Sequence, residues 1–148
     1  MRLTNFTDFG LRALMRLAGD PDRLFTTDEI AQEFKISRHH LTKVVQDLAR
    51  AGYVKTQRGA GGGLRLARPA RDIRLGDVVR RLEQTNALVE CFRDDGGECL
   101  LKPSCRLRTR LHAARESFLA TLNTSTLADC VYLPTALQRG TTRVSQRL

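Results

Sequence analysis

The hydrophobic periodicity of this chain switches at Gly52, and that switch constrains the fold more than any other feature. Before it, Leu41, Val44, Val45 and Leu48 recur at i, i+3, i+4 and i+7, the spacing of a helix with one buried face. After it, two short strand candidates, 53–57 and 63–67, flank the turn Arg58-Gly59-Ala60-Gly61-Gly62. A turn this rich in glycine takes positive φ angles freely and lets the backbone approach a ligand closely. Ser37 stands where the helix would be N-capped, and Gly52 where it would stop.

Two further helices precede this one. Leu3, Phe6, Gly10, Ala13, Leu14 and Leu17 recur at helical spacing across 3–18, and Asp20, Pro21 and Asp22 end the pattern. Thr26 and Thr27, followed by Asp28 and Glu29, predict a capped second helix burying Ile30, Ala31 and Phe34, with a break at 35–37. Leu75, Val78, Val79 and Leu82 predict a short helix after the hairpin. Helix, break, helix and a glycine-tipped hairpin is the order of a winged helix-turn-helix, so the expected class is mainly α with a small β-hairpin wing. A chain with only 5% aromatic residues and no tryptophan suits a core of aliphatic side chains on helices.

Residues 90–105 lose all periodicity and read as a loop. From Arg106 a long helix follows, with Leu107, Leu111, Ala114, Phe118 and Leu122 along one stripe. The small body before it already has helices enough to complete a core, so the stripe is expected to pair with its copy in a homodimer; folding back on its own domain is the alternative. The expected organisation is a DNA-binding domain at 1–82, a cluster-binding loop region at 83–105, a dimerisation helix and following segment at 106–133, and a disordered basic tail at 134–148. The residues up to Gly19 are amphipathic and include Asp8, Arg12 and Arg16, and no run of 18 apolar residues exists. A cytoplasmic protein with no membrane partner is expected.

Positive charge is concentrated in one window. Residues 35–74 carry ten Lys and Arg against only Asp47 and Asp72, whereas 81–133 balance at seven of each sign. Such a window is the footprint of a phosphate-contacting surface, with a solvated basic face as the plainer reading. In helix-turn-helix proteins the second helix enters the major groove with its N-terminal residues on base edges. Ser37, Arg38, His39, Thr42 and Lys43 occupy that place here, and arginine can bond guanine through both arms of its guanidinium. Arg58, Gly59 and Arg65 lie on the wing, where a narrow minor groove would attract arginine; simple solvated charges are the alternative. Double-stranded operator DNA is the expected partner.

Cys91, Cys99 and Cys105 form the second constellation, spaced C-x7-C-x5-C. Structural zinc loops usually bring ligands in close pairs, and no such pair occurs here. Three thiols in one glycine-containing loop suit an iron–sulfur cluster, which needs about four ligands held mainly by cysteine. Cys130 and His112 are candidates for the missing ligand, although an isolated cysteine between Ala128 and Val131 also reads as a small buried hydrophobe. An enzyme is not expected, because the chain has neither a nucleotide-binding glycine motif nor a base–nucleophile pair, and no room for a substrate domain.

Taken together, MRLTNFTDFGLRALMRLA, the helix-break-helix, RGAGGGLRLARP, CFRDDGGECLLKPSCRL and TLADCV resemble the Rrf family of winged-helix iron–sulfur regulators over residues 1–133. The detail is most similar to the family's nitric-oxide-sensing repressors. The resemblance implies that Cys91, Cys99 and Cys105 bind the cluster, and that an aspartate in the first helix of the partner subunit, at the position of Asp8, completes the set. Spacing alone would read Asp8 as an ordinary exposed carboxylate. The family's regulators of iron–sulfur biogenesis place a histidine three residues after the last cysteine; here that residue is Arg108, which departs from their pattern. The implied function is a repressor that binds operator DNA as a homodimer, carries a [4Fe–4S] cluster in preference to [2Fe–2S], and releases DNA when nitric oxide nitrosylates it. Response to iron–sulfur supply or oxidative stress, or a metal-stabilised DNA-binding module without a sensing role, are the alternatives.

Overall fold

The computed structural model describes residues 2–134. The tail expected to be disordered lies, from residue 135 onward, outside the described residues.

Helix α1 (Asn5–Ala18) is capped by Thr4, whose hydroxyl accepts from the Thr7 amide at 3.2 Å. It buries Thr7, Gly10, Ala13, Leu14, Leu17 and Ala18. Helix α2 (Thr27–Phe34) begins with the capping box expected from its sequence: the Glu29 amide donates to the Thr26 hydroxyl at 3.1 Å, and the Thr26 amide to the Glu29 carboxylate at 2.7 Å. The break before α3 (Arg38–Arg50) is made by Lys35 at φ 54° and by the Ile36 amide donating to the Ala31 carbonyl at 2.8 Å. Ser37 occupies the N-cap position, yet its hydroxyl does not bond the first turn. Backbone geometry, rather than that side chain, sets the entry of α3. Gly52 takes φ 75° just past its end, as a helix-stopping glycine should.

Strands β1 (Val54–Gln57) and β2 (Gly63–Leu66) form an antiparallel wing in the register Val54 to Leu66, Lys55 to Arg65 and Thr56 to Leu64. Gly59 and Gly61, at φ 96° and 74°, turn its tip. The wing is fastened to the body by Phe25, which exchanges two backbone hydrogen bonds with Leu64, at 2.9 and 2.7 Å. Helix α4 (Leu75–Leu82) follows, and after the cysteine loop comes α5 (Arg106–Leu122).

The core gathers Leu14, Leu17, Phe25, Ile30, Leu41, Val44, Leu48, Ile73 and Val78 from both sides of the helix-turn-helix. Leu127 completes it from beyond α5, with its amide donating to the Ile73 carbonyl at 2.8 Å. The segment after α5 therefore returns to the first body, and the Tyr132 amide reaches the Met15 carbonyl at 3.1 Å. Helix α5 itself buries only Leu119; Leu111, Phe118 and Leu122 are half-buried, while Leu107 is 62% exposed. Its C-terminal end rests on α4, and its N-terminal stripe is left uncovered within one chain. No helix among the described residues is long and apolar enough to cross a membrane.

Candidate nucleic-acid interface and cysteine loop

The outer face of α3 presents Arg38, His39, His40, Lys43 and Gln46 to solvent, while Leu41, Val44, Val45 and Leu48 hold the opposite face in the core. Arg38 makes an exposed ion pair with Asp28 of α2 at 2.9 Å. Pairs of this kind are weak and exchange readily, so the guanidinium remains available to a phosphate or base edge. Thr42 is half-buried, and its hydroxyl donates back to the Arg38 carbonyl at 2.8 Å, because a helical threonine finds that acceptor four residues earlier. His39 and His40 stand side by side with ring centroids 6.2 Å apart. On the wing, Lys55 and Arg65 face each other across the strands, and both are exposed, as are Arg58 and Gly59 at the tip. Like charges directly opposite repel; a phosphate between them would remove the cost.

The cysteine loop contains a short helical turn, Glu90–Phe92, that periodicity did not reveal. Beyond it the loop closes on itself. The Glu98 amide donates to the Glu90 carboxylate at 2.8 Å, the Lys102 ammonium to the Gly96 carbonyl at 3.1 Å, and Asp95 accepts from the Gly97 amide at 2.9 Å while pairing with Arg93. Gly96 and Gly97 take φ 78° and 58°, and a β-carbon on Gly97 would stand 2.7 Å from the Glu90 carbonyl oxygen. Bonding Glu98 to Glu90 brings together the chain ends that carry Cys91 and Cys99, while Cys105 immediately precedes α5.

All four cysteines are free thiols of intermediate burial. Among the described residues of this single chain, no group of three or more His, Cys, Asp or Glu side chains is gathered closely enough to hold a metal ion. The donors nevertheless suit a soft metal: three thiols on one loop, none committed to a disulfide. A centre needing about four ligands would draw a further donor from elsewhere. Asp8 is half exposed and paired with Arg12 one turn along α1, at 2.8 Å. His112 is exposed and turns its ring edge-on to Phe92 at 6.1 Å, and Cys130 sits in the turn Leu127–Cys130 after α5. Arg108 is exposed on the first turns of α5.

Sequence reasoning missed a polar junction at the end of α4. Arg80 grips Glu116 of α5 with two hydrogen bonds, at 3.0 and 2.6 Å. Arg81 grips Asp47 of α3, at 2.7 and 3.3 Å. Glu83 accepts from both the amide and the hydroxyl of Thr4, each at 2.8 Å. Burial pushes the Glu83 carboxyl up, but hydrogen bonds from Thr7, Asn86 and Thr4 outweigh it and hold the group below the usual glutamate range. The Arg80 hydrogen bond likewise lowers Glu116. Charges at adjacent helix positions signal nothing about partners 34 to 79 residues away, and no local pattern would have found them.

Over residues 3–132 the chain matches the model of the Rrf2 family, described as an iron-dependent transcriptional regulator. It is 48% identical over 130 residues to the HTH-type transcriptional regulator NsrR of Geobacillus kaustophilus (strain HTA426), an alignment covering 87% of this chain and 88% of that protein. Among solved structures it resembles CymR (YrzC), the global cysteine regulator of B. subtilis, with TM-score 0.66, 31% identity and coverage of 87% and 95% of the two chains. It also shares the fold of T. potens IscR, with TM-score 0.68, 24% identity and coverage of 100% and 93%.

Proposed function

The chain belongs to the Rrf2 family of iron-dependent transcriptional regulators, and from that premise we propose that it is a cytoplasmic repressor, loaded with an iron–sulfur cluster, that releases operator DNA in response to nitric oxide. It is a regulator and not an enzyme. The observation that carries the proposal is the set of three free, half-buried thiols on one self-closing loop between α4 and α5.

In this reading Cys91, Cys99 and Cys105 hold the cluster, [4Fe–4S] in preference to [2Fe–2S], and Asp8 of the partner subunit supplies the fourth ligand. These residues would hold the cluster, which would supply iron reactive toward nitric oxide, and a carboxylate would be its most exchangeable protein ligand. The chain's own residues do the rest. Asp8 can exchange partners because its pair with Arg12 is exposed and lies within one helix. The half-uncovered stripe of Leu107, Leu111, Phe118 and Leu122 pairs two copies of α5. Arg38, His39 and Lys43 face the major groove, with Ser37 and Thr42 beside them, and Arg58, Gly59 and Arg65 reach the adjacent backbone or minor groove. The work divides along the chain as DNA binding in 1–82, cluster binding in 83–105 and dimerisation in 106–133. A dimer reads half-sites at fixed spacing, so a small shift between its recognition helices lowers affinity.

The test is made without air. Purified protein is expected to be coloured and to bind a duplex enriched from a random pool, and nitric oxide is expected to bleach the visible absorbance and release the DNA together. Colourless protein with stoichiometric zinc, or DNA affinity indifferent to nitric oxide, would overturn the proposal.

A further inference from the structure

Three elements bear on the proposed cluster site: α4 leads into the cysteine loop, α5 leads out of it, and α1 carries Asp8, proposed as a ligand of the partner subunit's cluster. All three meet at residues 80–83, through Arg80 with Glu116 of α5 and Glu83 with Thr4 at the start of α1. The same turn reaches the recognition helix through Arg81, whose guanidinium holds both oxygens of Asp47. Helices α3 and α4 each pack on α1, and this pair bridges them directly.

Asp47 is an unusual residue for its place. It and Asp72 are the two carboxylates in the basic window 35–74, and Asp47 lies one turn after Lys43 on the helix that carries the candidate base contacts. Its side chain is 18% exposed, and Arg81 saturates it with a fork of two hydrogen bonds. Fork geometry fails when either partner rotates, because both bonds depend on one plane. Separating the pair leaves the Asp47 carboxylate with only the exposed Arg50 guanidinium, 3.9 Å away, and so puts a poorly neutralised negative charge on the helix proposed to meet phosphates.

We infer that Arg81 is a positioning residue that masks Asp47 and couples the state of the cysteine loop to DNA affinity through it. The inference rests on the proposed loop-sensing function and specifies how that signal reaches α3. It also separates the two members of the pair. Removing Arg81 leaves Asp47 only the weaker, exposed Arg50 at 3.9 Å, whereas neutralising Asp47 leaves nothing to unmask. The first variant is locked weak and the second locked tight. A pair that merely stabilised the fold would weaken binding alike in both states and in both variants.

The experiment measures the affinity of full-length cluster-loaded and cluster-free protein for one duplex, selected from a random pool by the loaded wild type. Allosteric couplings typically amount to about 5- to 150-fold, and a loaded-to-free ratio in that range is expected for the wild type. With Arg81→Gln the loaded protein is expected to bind as weakly as the free form. With Asp47→Asn the free protein is expected to bind nearly as tightly as the loaded one, and cluster absorbance should be unaltered in both. Should Arg81→Gln fail to fold, Arg81→Lys retains the charge without the fork and is expected to reduce the ratio. Amide hydrogen exchange across α3 in the cluster-free protein, compared with and without Asp47→Asn, supplies a reading independent of loading; equal rates are expected, since unmasking rather than unfolding is at work. A full wild-type ratio in these variants would overturn the coupling while leaving the sensor intact. A wild-type ratio of one would overturn the sensor and the coupling together.

Discussion

Gly76, in the first turn of α4, lies so close to α5 that a β-carbon there would stand 2.2 Å from the carbonyl oxygen of Leu119 and 2.6 Å from the Asn123 amide oxygen. The approach lets Asn123 accept from the Asp77 amide at 3.0 Å and donate to the Asp77 carboxylate at 2.9 Å. Together with Arg80 and Glu116 it holds α4 close against the C-terminal half of α5, so Gly76 helps set the angle at which the uncovered stripe leaves the body.

Gly76→Ala is accordingly expected to destabilise the protein, although alanine is the better helix former by about 1 kcal/mol. Forcing backbone apart costs roughly 1–3 kcal/mol, which outweighs the gain. Urea unfolding measures the loss, and sedimentation should show weakened self-association, since α5 would leave at a different angle.

Arg65→Ala and Lys55→Ala should each weaken DNA binding without changing sequence preference. Taking one phosphate out of the protein's grip lowers the slope of log affinity against log salt by about 0.9. A titration series in salt reads the slope directly, and an unchanged slope would place these residues outside the interface.

Glu83 predicts a specific acid sensitivity. Its folded-state pKa lies below the usual value near 4.3, so its contribution to stability is present above that pH and is lost as the pH falls through the depressed value. Glu83→Gln should be less stable than wild type at neutral pH, and the gap should close as the pH falls below the usual glutamate range. Urea midpoints measured across that range check the sign.

The four cysteines should divide three to one. Cys91→Ala, Cys99→Ala and Cys105→Ala are each expected to abolish visible absorbance, whereas Cys130→Ala should retain it. Cys130 follows the buried Leu127 in a turn that packs on α1, away from the loop sequence that carries the others. Loss of colour in Cys130→Ala would instead make it the fourth ligand.

Much of the architecture was legible because its physics is local. The period of Leu41, Val44, Val45 and Leu48, the Thr26–Glu29 box and the glycines of the wing each act within a few residues, and the structure holds each where the pattern predicts. The basic window was equally plain, since charge sums along the chain. Side-chain roles were less so. The Ser37 hydroxyl does not cap and the Thr42 hydroxyl bonds its own helix, because a hydroxyl takes whichever partner the finished backbone offers. The grouping of Cys91, Cys99 and Cys105 was visible as spacing, whereas the fold of their loop depends on Glu90, Lys102 and two left-handed glycines.

By itself the sequence determined the order of helices and wing, the basic face proposed to meet nucleic acid and the loop that bears the thiols. Only the tertiary structure decided that Leu127 returns to finish the first core, that Gly76 helps set the departure of α5, and that residues 80–83 join α1, α3 and α5. Periodicity and capping are energies between near neighbours and leave their mark in the residue order. Long-range pairs such as Asp47 with Arg81 form only after the chain has packed, when burial makes an unpartnered charge costly and the surrounding backbone dictates which opposite charge lies within reach.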